Sequence, residues 1–145
     1  MWAYYSCFPG QESWLLQRLS DSNEHLRAWA VRLLTDGRIT ISDSGLERIL
    51  QTAKLDESGL VRLYLASAAQ RVPVNLRAPL LKALLAHSED VGDPNLPLMY
   101  WYATEPVVAA DPKIGVQLLA VCKLPKVRQF ITRRMATGRE TSEPE

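Results

Sequence analysis

The sequence predicts an all-α protein, an α-solenoid built from about four helix-turn-helix repeats. Three observations predict it. Similar segments recur at a constant spacing: NEHLRAWAVRLL from Asn23, SGLVRLYLASAA from Ser58 and DPNLPLMYWYAT from Asp93 start 35 residues apart, and LPKVRQFITRRM from Leu124 follows after 31. Their apolar positions coincide in columns at helical spacing. Residues suited to capping a helix stand at the start of the first three segments. No strand pattern competes except the short, ambiguous Ile39-Thr40-Ile41.

The columns define the second helix of every repeat. One apolar column reads Leu26, Val61, Leu96 and Val127; the next two read Trp29, Tyr64, Met99, Phe130 and Ala30, Leu65, Tyr100, Ile131. A fourth reads Leu33, Ala68, Ala103 and Arg134. These offsets describe one face of an α-helix, expected to be buried. The charge in the last repeat suits the polar cap that the end of an array requires. Asn23, Ser58 and Asp93 fall in one column and predict N-caps, because a short side-chain oxygen accepts from free N–H groups of the first turn. Pro94 and Pro125 share the following column, expected to be the first helical position.

A shorter first helix is predicted ahead of each of these. Trp14, Leu15 and Leu19 form its apolar face in the first repeat. Leu46, Ile49, Leu50 and Ala53 form it in the second, behind Ser42 or Asp43 as cap; Leu81, Leu84 and Leu85 form it in the third, after Asn75. Asp111-Pro112 opens the fourth, with Val116 and Leu119 expected to point inward. The expected repeats cover 11–36, 43–72, 76–105 and 112–136, a single domain over 1–136. Residues 137–145, TGRETSEPE, lack apolar side chains and are expected to form a disordered tail.

Composition narrows the function classes. Apolar residues make up 47% and charged residues 23% of the 145, enough for a buried core. The net charge of +1 gives no global field for nucleic acid or membrane. No stretch approaches the roughly 18 uninterrupted apolar residues of a membrane helix. The start, MWAYYSCFPGQ, lacks the basic and apolar regions of a signal peptide, and none is expected. Cys7 and Cys122 are expected to be free thiols, with a disulfide between them as the alternative.

A two-helix unit of this length, whose second helix opens on a capping residue followed by Leu26-Arg27, Val61-Arg62 or Val127-Arg128, resembles the HEAT repeat. The strings VRLYLASAAQRVP, DPNLPLMYWYATEPVVAADP and VRQFITRRMA also resemble the HEAT-repeat region of large multidomain bacterial dehydrogenase-like proteins. Those proteins also carry a β-propeller and a cytochrome c module with CxxCH, and this sequence contains no CxxCH. Neither haem nor oxidoreductase activity is therefore carried over. The resemblance implies a spacer or docking platform. It also implies that Arg27, Arg62 and Arg128 contact acidic groups of neighbouring repeats as a structural ladder, with Asp21, Asp36 and Asp56 as partners. Pro97 interrupts that column. The compartment follows the context: cytoplasmic for a free-standing protein, exported for a segment of the longer family protein.

Candidate functional residues are few. His25 and His87 have no partner at a metal-ligand spacing, and no GxSxG or phosphate loop occurs. No catalysis and no cofactor is expected. The run Met99-Tyr100-Trp101-Tyr102 lacks converging polar groups and reads as a helix face. Met99 and Tyr100 fall in core columns, Trp101 in a partly buried one. Tyr102 shares a solvent-facing column with Arg32, Ser67 and Arg133, and Leu98 precedes it by one turn. Leu98, Trp101 and Tyr102 are therefore candidate partner-binding residues. Lys126, Arg133 and Arg134, in a basic stretch from Lys123 to Arg139, join them. That stretch reads first as a solvated helix end, and alternatively as a nucleic-acid surface. The expected function is a non-catalytic scaffold that contacts a protein or a sister domain. The alternatives are a repeat segment of a haem-carrying dehydrogenase-like protein and a nucleic-acid-binding solenoid. Pro106 is expected to stop or sharply kink its helix.

Overall fold

The computed structural model describes residues 11–37 and 40–140. Among the described residues stand eight α-helices, two 3-10 turns and no strand. The all-α class therefore holds. The chain divides into two compact units, Met1–Arg71 and Val72–Glu145, where the sequence analysis expects one domain. The division falls between the second and third expected repeats.

The first unit contains α1 (Glu12–Arg18), α2 (Glu24–Leu34), α3 (Asp43–Leu55) and α4 (Gly59–Ala69). The caps are the short polar side chains that the sequence offers. Asn23 accepts from the His25 N–H, Ser42 from Gly45 and Ser58 from Val61. Ser42, not Asp43, is the cap of α3. First helices meet first helices. The Glu12 carboxylate at the start of α1 accepts from the Ser42 N–H at 2.8 Å and its hydroxyl at 2.9 Å, and Arg48 donates to Ser20 beyond the end of α1. Second helices meet second helices likewise. Ser58 donates to Glu24, start to start, and Arg71 donates to Thr35 at 3.3 Å, end to end. Nearly equal offsets, 30 and 28 residues for the first helices and 34 and 36 for the second, make each pair parallel.

The second unit contains α5 (Ala78–Leu84), α6 (Leu96–Ala110), α7 (Pro112–Val121) and α8 (Pro125–Glu140), with 3-10 turns at Val74–Leu76 and Ser88–Gly92. Lys82 of α5 donates to Gln117 of α7, 35 residues on, at 2.8 Å. Trp101 and Glu105 of α6 meet Phe130 and Arg134 of α8, both 29 residues on. The two equal offsets again make the pair parallel. Asp111 caps α7 through the Lys113 N–H. Asn75 lies inside the first 3-10 turn and caps nothing; α5 starts without a side-chain cap. Pro125 opens α8 as expected. Pro94 does not open α6, which starts at Leu96. Asp93 still serves as the polar cap, accepting from Asn95 at 2.7 Å and Leu96 at 2.8 Å, so Pro94 sits in the bend between.

The expected core columns sort cleanly by depth. Ala30, Leu65, Tyr100 and Ile131 are all fully buried. Val61, Leu96 and Val127 are buried, with Leu26 half-buried. Trp29, Tyr64, Met99 and Phe130 are only half-buried in every repeat, so Met99 is a flank residue rather than a core one. Two expected inward residues point out: Leu46 is 45% exposed and Val116 is 55% exposed. The preceding residue explains both. Gly45 and Gly115 are buried, and each brings its helix close to a neighbour. A Cβ on Gly115 would stand 3.2 Å from Val108 and 3.2 Å from Met135. A glycine at the tightest approach turns the next residue away from the core.

Two terminations also differ from expectation. Pro106 lies inside α6, which continues to Ala110. Its ring withholds one N–H from the Tyr102 carbonyl, yet packing holds the helix together. α8 runs to Glu140, into the expected disordered tail. Within that last stretch the Thr137 hydroxyl donates back to the Arg133 and Arg134 carbonyls at 3.3 Å and 3.0 Å. Residues 141–145 of that tail, Ile39 of the ambiguous strand and Cys7 lie outside the described residues.

Candidate functional site

The arginine column has one recurrent geometry. Arg27 donates from Nη1 to the Asp21 carbonyl at 2.9 Å, Arg62 to the Asp56 carbonyl at 2.8 Å, and Arg128 to the Cys122 carbonyl at 3.1 Å. Each acceptor lies six residues upstream, in the turn joining the two helices of the same repeat. The guanidinium fork thus closes its own turn from within the second helix. Arg27 also grips the Asp56 carboxylate of the next repeat with two bonds, 2.7 Å and 2.9 Å. That carboxylate holds the Arg27 guanidinium above its ordinary pKa. The family resemblance implies acidic partners at every rung. The Arg128 contacts are backbone carbonyls instead, including Leu119 at 2.6 Å. Asp21 serves Arg27 through its carbonyl, while its carboxylate accepts from Asn23 and Arg18.

The third repeat closes its turn by another route. Pro97 replaces the arginine and loses no intrahelical bond, because first-turn N–H groups have no acceptor in the helix. Tyr100, one turn later, sends its hydroxyl to the carboxylate of Asp90 in the 3-10 turn, at 2.6 Å. Both are buried. Arg77 adds a tie, donating to the Val72 carbonyl at 2.6 Å and to Ala103 at 3.5 Å.

The candidate partner-binding residues converge on one seam. Trp101 of α6 packs on Phe130 of α8 with ring centroids 5.3 Å apart and planes tilted by 47°. One turn further, Arg134 binds Glu105 at 2.8 Å. Both pairs are half-buried and form the floor. Leu98 and Tyr102 flank the floor on the solvent side of α6, half-buried and 55% exposed respectively. Lys126 and Arg133 flank it on the solvent side of α8, both exposed. Helical geometry places them there: each lies within about 100° of a floor residue on its own helix, away from the buried face. Arg134 thus belongs to the floor, and its charge is matched by Glu105.

Sequence reasoning missed Phe130, Glu105 and Asp90 as partners. The common offset of 29 residues links Trp101 to Phe130 and Glu105 to Arg134, and was a readable signal. Asp90 gave none, since its position follows from how the 3-10 turn folds onto α6. His87 bonds Glu89 at 2.7 Å, and His25 is exposed. Cys122 is a free, buried thiol whose pKa burial pushes up. Among the described residues no cluster of three or more metal-ligating side chains occurs, and no helix is long and apolar enough to cross a membrane. No protein-family model, no curated protein and no solved structure matches the chain.

Proposed function

We propose that the protein is a non-catalytic HEAT-like scaffold, an α-solenoid of four helix pairs that docks a protein or a sister domain of a longer chain. The α6–α8 seam is its contact surface. The observation that carries this reading is Tyr102, an aromatic side chain 55% exposed beside half-buried Leu98 and Trp101. Aromatic side chains at such positions anchor protein contacts, because they bury much area for little lost rotamer freedom. The solenoid reading is supported within each unit by parallel pairing of equivalent helices, and by the arginine that closes the turn in three repeats. Repeats with one apolar face bury it only by stacking on a neighbour, which leaves an outer surface for partners.

A photo-crosslinking residue placed at Tyr102 in the native host tests the reading. A discrete protein adduct is expected there, and none from the same residue at exposed Gln51 in the first unit. Absence of an adduct at Tyr102, or equal adducts at both positions, overturns it.

A further inference from the structure

We infer that the α6–α8 seam takes an acidic segment of a partner protein, which sets an apolar side chain beside Tyr102 and its carboxylates against Lys126 and Arg133. This inference rests on the docking reading above and names the chemistry of the occupant. The two walls of the seam differ in kind. Leu98 and Tyr102 make the α6 wall apolar. Lys126 and Arg133 make the α8 wall cationic, and both are exposed. The floor is already satisfied: Trp101 has Phe130, and Arg134 has Glu105. An occupant therefore meets one oily wall and two cations on the other side. An amphipathic acidic segment matches both at once.

A nucleic-acid strand matches less well. Glu105 binds Arg134 at 2.8 Å, which leaves a strand only Lys126 and Arg133 as exposed cations at the seam. Tyr102 alone offers a base an exposed stacking plane, since Leu98 has none and Trp101 already packs on Phe130. Two phosphate contacts would give a salt slope of only about −1.4 on a single strand, against six to ten contacts in proteins that bind nucleic acid firmly.

The test uses the full chain and fluorescence anisotropy. The probes are a short labelled amphipathic peptide of glutamate and leucine, its lysine-for-glutamate counterpart, and a labelled single-stranded DNA. The glutamate peptide is expected to bind at least about tenfold more tightly than the lysine peptide. The double variant Lys126→Glu, Arg133→Glu should reverse that preference, and Tyr102→Ala should weaken the glutamate peptide several-fold. All these positions are exposed, so melting curves should stay unchanged and separate binding from folding. Equal binding of the two peptides overturns the inference, as does a preference that survives the charge reversal. Tighter binding of the DNA than of the glutamate peptide, lost in the same double variant, also overturns it in favour of a nucleic-acid surface. An adduct at photo-crosslinked Tyr102 that persists in the double variant keeps the docking reading and overturns the acidic occupant alone.

Discussion

Two tyrosines two residues apart, Tyr100 and Tyr102, have opposite fates within one turn of α6. Tyr100 is fully buried and ties the preceding turn through Asp90. Tyr102 is 55% exposed. Tyr100→Ala should cost about 3–5 kcal/mol, comparable to Leu65→Ala at about 2–5 kcal/mol, because both leave a core cavity. Tyr102→Ala should change stability by no more than about 0.5 kcal/mol while weakening partner binding. Urea unfolding of both variants checks the contrast, and a large stability loss in Tyr102→Ala would make it a core residue. Arg27 allows a second test. Its side chain and that of Asp56 are 17% and 6% exposed, and the bond is two-pronged. Arg27→Lys keeps the charge but not the fork, so it should still lose about 1–2 kcal/mol in urea unfolding. Equal stability of the lysine variant would show that charge alone matters. The column of arginines was legible in the sequence. Their carbonyl acceptors were not, because backbone carbonyls are present at every position and leave no compositional mark.

At the scale of elements, glycine decides how closely a first helix approaches its neighbours, Glu12 of α1 at Gly45 and Val108 of α6 with Met135 of α8 at Gly115. Gly45 and Gly115 stand in the same repeat column, 70 residues apart, with buried Leu80 midway between. A Cβ on Gly45 would collide with the Glu12 carboxylate and stand 2.7 Å from the Ile41 side chain. Alanine is the better helix former by about 1 kcal/mol. Even so, Gly45→Ala should destabilise by about 1–2 kcal/mol, because the crowding pushes Glu12 off Ser42. Glu12→Ala should reduce that penalty, and a double-mutant cycle in thermal unfolding measures the coupling. Strict additivity would place the strain elsewhere. The apolar pattern alone put Leu46 and Val116 inward, since it scores oily side chains and is blind to a glycine beside them. Pro106 makes the same point about termination. Its effect on α6 is local, and the apolar residues Val107 and Val108 beyond it are buried and hold the helix to Ala110.

For the molecule as a whole, positive and negative charges nearly balance, with a net +1, while six of the 17 basic residues fall between Lys123 and Arg139. Of the three basic candidates at the seam, Arg134 is matched by Glu105 and two remain exposed. Any DNA binding through the seam should therefore be weak, with a log–log salt slope near −2 or shallower, about 0.9 per neutralised phosphate. A filter-binding titration across salt concentrations checks this, and a slope steeper than about −5 would require a much wider basic surface.

The sequence by itself determined the helices, most of their caps and the fully buried column of Ala30, Leu65, Tyr100 and Ile131, while it set the Trp29, Tyr64, Met99 and Phe130 column too deep. The reason is that periodicity and capping chemistry act within a few residues of chain. Tertiary structure alone decided which carbonyls the arginines close on, how Tyr100 replaces the arginine that Pro97 displaced, and which glycines set helix spacing. It also decided that Trp101, Phe130, Glu105 and Arg134 form one floor, leaving Leu98, Tyr102, Lys126 and Arg133 outside it. The floor depends on packing that brings together side chains 29 residues apart, and the arginine and Tyr100 closures, six and ten residues apart, depend on how the connecting turns fold.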